Sequence, residues 1–155
     1  MPETGAPLSF RPEALLTELL AEGLSVEIPV TGASMSPYIR SRDVITLAPL
    51  ADEPVRRGDV VAFPRPGGRL VVHRVIDLDD GRILTRGDAA PRADGWIDRE
   101  TVVGRVTAIE RRGRSVRFGV GWGPLAIAMA SRTGLLCLVF KPIRWWFRTV
   151  QRPKV

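Results

Sequence analysis

Between residues 24 and 117 the sequence breaks into short β-rich runs, each closed by a turn signal. The runs are SVEIPV, VITLAPL, DVVAF, LVVHRVIDL, RILTRG, TVVGRVTAIE and SVRFGV. Gly58-Asp59, Pro66-Gly67-Gly68, Asp80-Gly81 and Gly87-Asp88 fall between them. Runs rich in Val, Ile and Thr, punctuated by Gly, Pro and Asp at this spacing, form strands joined by tight turns. The chain is therefore constrained to a mainly β, antiparallel domain over residues 25–117. Within it, LDDGRIL places Asp-Gly between apolar flanks, the pattern of a two-residue hairpin. There is no internal repeat and no low-complexity segment.

Two flanks differ from this domain. Residues 1–24 hold one short helical segment, RPEALLTELLAE, with Leu15, Leu16, Leu19 and Leu20 at helical spacing and Gly23 as the stop. The helix is expected to cover one end of the sheet. Residues 118–155 form an apolar and basic tail, read as helical. From Gly119 to Phe140 its only formal charge is Arg132. An Arg at the centre of a span costs about 2.5–3.5 kcal/mol on insertion scales, and Gly134 offers a break. Trp145, Trp146 and Phe147, interleaved with Arg and Lys, suit a lipid–water interface. Membrane association through this tail is expected, as a span or as an interfacial hairpin.

At 155 residues the size fits one domain, and 45% hydrophobic residues are enough for a core. A single cysteine, Cys137, excludes an internal disulfide framework. No Cys/His cluster offers a zinc site, and no cofactor is implied. The net charge of +6 gathers in two clusters: Arg105, Arg111, Arg112, Arg114 and Arg117, then Lys141, Arg144, Arg148, Arg152 and Lys154. Such clusters fit an anionic membrane surface, nucleic acid or a solvated face. Nucleic acid is disfavoured, because only one short helix fits ahead of the β domain and a helix-turn-helix needs two.

The stretch TGASMSPYIR, residues 31–40, sets Ser34 on a Gly/Pro-rich turn. A serine hydroxyl attacks a carbonyl only when a base removes its proton. The chain has one histidine, His73, and two lysines, both in the tail. His73 in RLVVHRVI is thus the leading base, and a neutral imidazole suits acyl transfer. A third group should orient it. Asp77, Asp79, Asp80, Asp88, Asp94 and Asp98 all lie downstream, and spacing alone does not choose between Asp88 and Asp94.

The box GASMSP (Gly32–Pro37) resembles the nucleophile box of type I signal peptidases and their relatives, including the LexA-like self-cleaving proteins. The resemblance continues in order through RRGDVVAF, VVHRVI, TRGDAAPRAD and VVGRV, over roughly residues 28–108. Bacterial signal peptidases and LexA-like proteins use a lysine base. His73-Arg74-Val75 instead resembles the histidine branch of archaeal and endoplasmic-reticulum signal peptidases. In that branch the acid comes several residues after the Gly-Asp pair, which implies Asp94. Asp88 is then a structural carboxylate behind the site.

The resemblance implies the LexA/signal-peptidase-like β fold and a serine endopeptidase that removes a leader or signal segment from a client protein. Ser34 would be the nucleophile, His73 the base and Asp94 the orienting acid. The Ser34 backbone N–H would hold the oxyanion. Many signal peptidases carry a serine donor two residues before the nucleophile; Gly32 stands there. SRDVI also departs from the family, with Arg42 in place of a more usual glycine. The client is expected to bind as an added strand beside SVEIPV. The opening residues do not read as a secretion signal, so a cytoplasmic catalytic domain is expected, which suits a maturation protease; an extracytoplasmic one is the alternative. Rival readings are a catalytically inactive peptide binder and a LexA-like self-cleaving regulator.

Overall fold

A computed structural model describes residues 12–50 and 53–116. The tail features, Cys137, Arg132 and the Trp145–Phe147 cluster among them, lie outside the described residues, as does Arg117.

Helix α1 spans Pro12–Ala21. Proline opens it, where the missing N–H costs no helical bond. It ends in a Schellman-type cap, with the Leu24 N–H donating to Leu19 O at 3.0 Å and Gly23 N–H to Leu20 O at 3.1 Å. Leu20 is buried and Leu16 packs against the same core, whereas Leu15 is 44% exposed. The apolar face is thus narrower than the four leucines imply. The helix lies against the sheet as expected: Leu20 reaches within van der Waals distance of Gly104.

The strands are β1 (Val26–Pro29), β2 (Val44–Ala48), β3 (Val60–Pro64), β4 (Leu70–Asp79), β5 (Arg82–Arg86), β6 (Gly95–Asp98), β7 (Gly104–Arg111) and β8 (Arg114–Ser115). All pairings are antiparallel. They make one sheet in the order β1-β2-β7-β3-β4-β5-β6, with β8 paired to β7. The mainly β, antiparallel expectation holds. Strands β1 to β5 and β7 coincide with β-rich runs in the sequence, and β8 meets one at Ser115. The exception is β6, which starts directly after Asp94 in the Asp94-Gly95 turn signal and whose GWID has only one β-branched residue.

Burial depends on strand position. In β2, Ile45 and Leu47 point inward and their neighbours outward, the period of two of a one-sided strand. In β3, Val60, Val61, Ala62 and Phe63 are all buried, because both faces are covered. Val60 and Ala62 join a core with Ile45, Leu47, Val106, Ile109, Met35 and Ile39. Val61 and Phe63 join a second with Val75, Ile83, Val102 and Val55. Fully burying each such side chain contributes about 1.5–3 kcal/mol.

Strand β4 changes partner midway: Leu70–Arg74 pair with β3, while Arg74–Asp79 pair with β5 across a bulge. Residues 70–73 therefore present an unpaired edge on the β5 side, among the described residues. The β4–β5 hairpin closes on Asp80-Gly81, both at positive φ (32° and 80°), as the Asp-Gly signal implies.

Several cations read as one basic cluster are engaged internally. Arg111 donates to both carboxylate oxygens of Asp43, at 2.8 and 2.7 Å. Arg105 pairs with Glu53 at 3.0 Å and lies 3.4 Å from Asp59. Of that cluster's described members, this leaves Arg112 and Arg114 on the surface.

Arg42 occupies a φ of +74°, the left-handed region where a side chain strains the backbone. Its N–H donates to Val30 O at 2.9 Å, and the Val30 N–H donates to Asp43 O at 2.8 Å, so the conformation is fixed. Arg42→Gly should relieve about 1–2 kcal/mol of strain. Glycine's extra unfolded-state entropy returns about 0.5–1 kcal/mol of that. A rise in urea-unfolding free energy of about 0.5–1 kcal/mol is expected; a fall would show that the turn is unstrained.

Candidate active site

Ser34 sits in the turn between β1 and β2. Three sets of contacts fix it. Met35 and Ile39, at either end of the segment after Ser34, plug into the core with 4% and 1% exposure. Asp43 accepts the Arg40 N–H at 2.7 Å, and Arg111 bridges from Asp43 to Tyr38 O at 3.0 Å. The Ser34 carbonyl accepts the Ala89 N–H at 2.8 Å. The Ser34 N–H itself meets no acceptor among the described residues.

His73 stands on β4, opposite Val61 of β3. The Phe63 ring and the imidazole pack in a T-shaped arrangement, with centroids 6.3 Å apart and planes at 68°. Nε2 lies 3.1 Å from Ser34 Oγ. Nδ1 lies 2.6 Å from Asp94 Oδ2. Asp94 Oδ2 also accepts from Thr85 Oγ1 at 3.0 Å, and Oδ1 accepts from Arg65. Burial pushes the Asp94 carboxyl up. The hydrogen bonds from His73 and Thr85 and the charge of Arg65 outweigh it, and the group ends below the ordinary carboxylate value. An ionised Asp94 accepts only, so the network assigns the proton to Nδ1 and leaves Nε2 to accept from the Ser34 hydroxyl.

Asp94 reaches this place through the β5–β6 hairpin. Its N–H donates to Thr85 O at 2.8 Å just before the strands pair at Thr85 and Gly95. Asp88 does something else. It is buried and accepts from Nε and Nη2 of Arg74, both at 2.8 Å, while Nη1 of Arg74 donates to Gly58 O at 2.8 Å. Neither side chain of this pair has any exposure. The structure thus brings Ser34, His73 and Asp94 into one hydrogen-bonded series, with Asp88 beside it on Arg74. The other carboxylates lie elsewhere: Asp77 pairs with Arg57, Asp79 ends β4 opposite Arg82, Asp80 forms the hairpin turn with Gly81, and Asp98 ends β6.

Sequence reasoning missed Arg65, Thr85, Gly87 and the pairing of Arg74. One signal was present. An arginine between VVH and VI in an apolar strand is buried on both sides and needs a charged partner. Gly87 is required for close approach. A Cβ there would lie 2.7 Å from Ser34 O and 3.0 Å from His73 Nε2.

The site opens on a groove of about 640 Å³. One wall is the β1 end and the turn after it, from Ile28 to Gly32; the other is Arg69–His73. Three strands separate β1 from β4 in the sheet order, so the sheet must curl to bring these walls together. Leu16, Met35, Ile39 and Ile45 contribute an apolar lining, and Gly32 brings no side-chain donor.

The chain is similar to the signal peptidase complex catalytic subunit SEC11C of Homo sapiens, Mus musculus and Canis lupus familiaris. Each is 32% identical over 92 residues, which is 50% of this chain and 48% of the relative. The chain thus spans about half the length of the curated relatives it matches. No protein-family model matches it. These relatives support a signal-peptidase-I-like family for the chain.

The geometry yields two expectations. Gly87→Ala should cost about 1–3 kcal/mol of stability by overpacking, and should displace the Ser34 carbonyl or the imidazole. Unchanged urea unfolding and an unchanged His73 NMR signal would show that the contact relaxes freely. Arg74→Met strands a buried carboxylate and should cost about 3–5 kcal/mol. Arg74→Met with Asp88→Leu should recover most of that loss in the same unfolding measurement.

Proposed function

We propose that this chain is a serine endopeptidase of the signal peptidase type, removing a leader or signal segment from a client protein. The observation that carries the reading is the hydrogen-bonded series Ser34–His73–Asp94, opening on a groove between two strand edges. The similarity to signal peptidase complex catalytic subunits supports it independently.

In this mechanism Ser34 Oγ attacks a peptide carbonyl carbon while His73 Nε2 takes the hydroxyl proton. The tetrahedral intermediate collapses as Nε2–H protonates the leaving amine, giving an acyl-Ser34 ester. Water, deprotonated by His73, then hydrolyses the ester. Asp94 holds the Nδ1–H and stabilises the imidazolium that forms at each proton transfer. The unengaged Ser34 N–H is the donor for the oxyanion. Gly32 offers no side-chain donor, so the oxyanion is held with fewer donors than in relatives that have a serine there.

The client binds extended. The outer edge of β1 and the unpaired edge of residues 70–73 face the groove, and each offers backbone groups to an added strand. The apolar lining favours small or aliphatic client side chains.

Membrane association is also part of this reading, supported by the resemblance to subunits of a signal peptidase complex. The tail beyond residue 117 would supply the contact, with its cations on an anionic membrane surface. No helix among the described residues is long and apolar enough to cross a membrane.

Purified protein in detergent or lipid, incubated with a peptide library and read by mass spectrometry, tests the activity. Wild type should cleave. Ser34→Ala, His73→Ala and Asp94→Asn should each lose about 10⁴-fold or more in kcat. Bound but uncut peptides with wild type would favour an inactive peptide-binding protein instead.

A further inference from the structure

The Asp94 carboxylate is engaged on both oxygens. Oδ2 serves His73 and Thr85, and Oδ1 accepts from Nη2 of Arg65. Arg65 comes directly after β3, at the start of the β3–β4 turn, and its N–H donates to Arg69 O at 2.9 Å. Its side chain is 45% exposed and Asp94's 8%. Arg65 also lines the groove that holds Ser34 and His73. It therefore reaches from the groove to the carboxylate behind the imidazole.

We propose that Arg65 is a positioning residue, a groove-side latch that fixes the plane of the Asp94 carboxylate and, through it, the His73 ring. Its catalytic consequence rests on the peptidase reading; its structural consequence does not.

Two effects make it a latch. The first is geometric. The terminal torsion of an aspartate is broad and two-fold, so a carboxylate held by one oxygen swings easily. Thr85 and His73 share Oδ2 and leave that swing open; Arg65 on Oδ1 closes it. The second is charge. Among the described residues, Arg65 is the cation in direct contact with the His73–Asp94 pair. Arg74 is turned to Asp88 and neutralised by it; Ser34 and Thr85 carry no charge. Glu13 and Arg69 line the same groove from α1 and the β3–β4 turn. A peptide lying along residues 70–73 would cover Arg65, exclude water from its ion pair and tighten the latch. The triad would then be held most firmly when the groove is filled.

The chain has one histidine, so its imidazole NMR signal belongs to His73 alone. The test compares wild type, Arg65→Met and Arg65→Lys, by NMR titration of that signal and by cleavage kinetics. The His73 titration curve should differ from wild type in Arg65→Met, because the Asp94 carboxylate is no longer held on both oxygens, and should differ much less in Arg65→Lys. In Arg65→Met kcat should fall about tenfold with KM changed under about threefold, with partial recovery in Arg65→Lys and no change in Tm. A titration curve identical to wild type in Arg65→Met overturns the proposal. So does an equal change in both variants, which would show that the fork or the stem and not the charge matters. If wild type cuts no peptide, the peptidase reading fails while the titration still decides the latch.

Discussion

The buried ion pair of Arg74 and Asp88 is the constraint on which the site depends. Arg74 is the residue after His73 on β4, and Asp88 is the residue after Gly87. Two parallel 2.8 Å hydrogen bonds therefore fix the strand of His73 against the loop that touches Ser34. On one side of Asp88, Gly87 lies against Ser34 and the imidazole. On the other, the Ala89 N–H holds the Ser34 carbonyl. The same loop runs on to Asp94. One pair thus sets the distances among all three groups of the series. Such a pair contributes little net stability compared with an apolar pair of similar volume. Its effect is on geometry: both side chains are fully buried, so alternative positions of the loop leave a bare charge in the core.

The Ser34 loop is held by a second pair built on the same logic. Asp43 stands at its C-terminal end, and Arg111 comes from β7, far away in sequence. Burial raises the Asp43 carboxyl, but the hydrogen bonds from Arg111 and the Arg40 N–H, with the two cations, bring it below its ordinary value. The carboxylate stays ionised and accepts from both guanidinium and backbone. Tyr38 lies between the two pairs. Its carbonyl is bound by Arg111, and its ring lies 5.8 Å from the Arg74 guanidinium. The turn carrying Ser34 is therefore rigid despite its Gly/Pro composition.

What could be read in the sequence depends on how local each determinant is. Strands β1 to β5 and β7 show in their own residues, because alternation and turn signals are local. Strand β6 does not, because its pairing with β5 is supplied by the partner and not by GWID. Ser34 and His73 stand out because only one residue in the chain is a histidine. The spacing of Asp88 and Asp94 is uninformative, because both adjoin a glycine. What separates them in space is the register of β5 on β6, which sets Asp94 beside Thr85, and the side chain of Arg74, which captures Asp88. Arg65 and Thr85 are ordinary residue types in ordinary places, and only the folded chain brings them to one carboxylate. The Arg105–Arg117 cluster is the converse case. Only Arg105 and Arg111 lie on β7, and each turns to a carboxylate on another segment, while Arg112 and Arg114 stay on the surface.

A last constraint concerns the groups that are left unengaged. Backbone donors and acceptors in a folded domain are almost all paired, and unpaired ones in a sheet invite another strand. In this domain hydrogen bonds tie down the turns, the helix end and the loop from Gly87 to Asp94. Among the described residues, the unengaged groups include the outer edge of β1, the edge of residues 70–73 and the Ser34 N–H, and these face one groove. The two edges are short, about four residues each, which limits self-association. In the proposed function a strand held by both edges would pass the Ser34 hydroxyl, because the curl of the sheet sets both edges on the groove that holds it. On that proposal the placement of the unsatisfied backbone, more than any single side chain, would make this curled sheet a site for an extended chain.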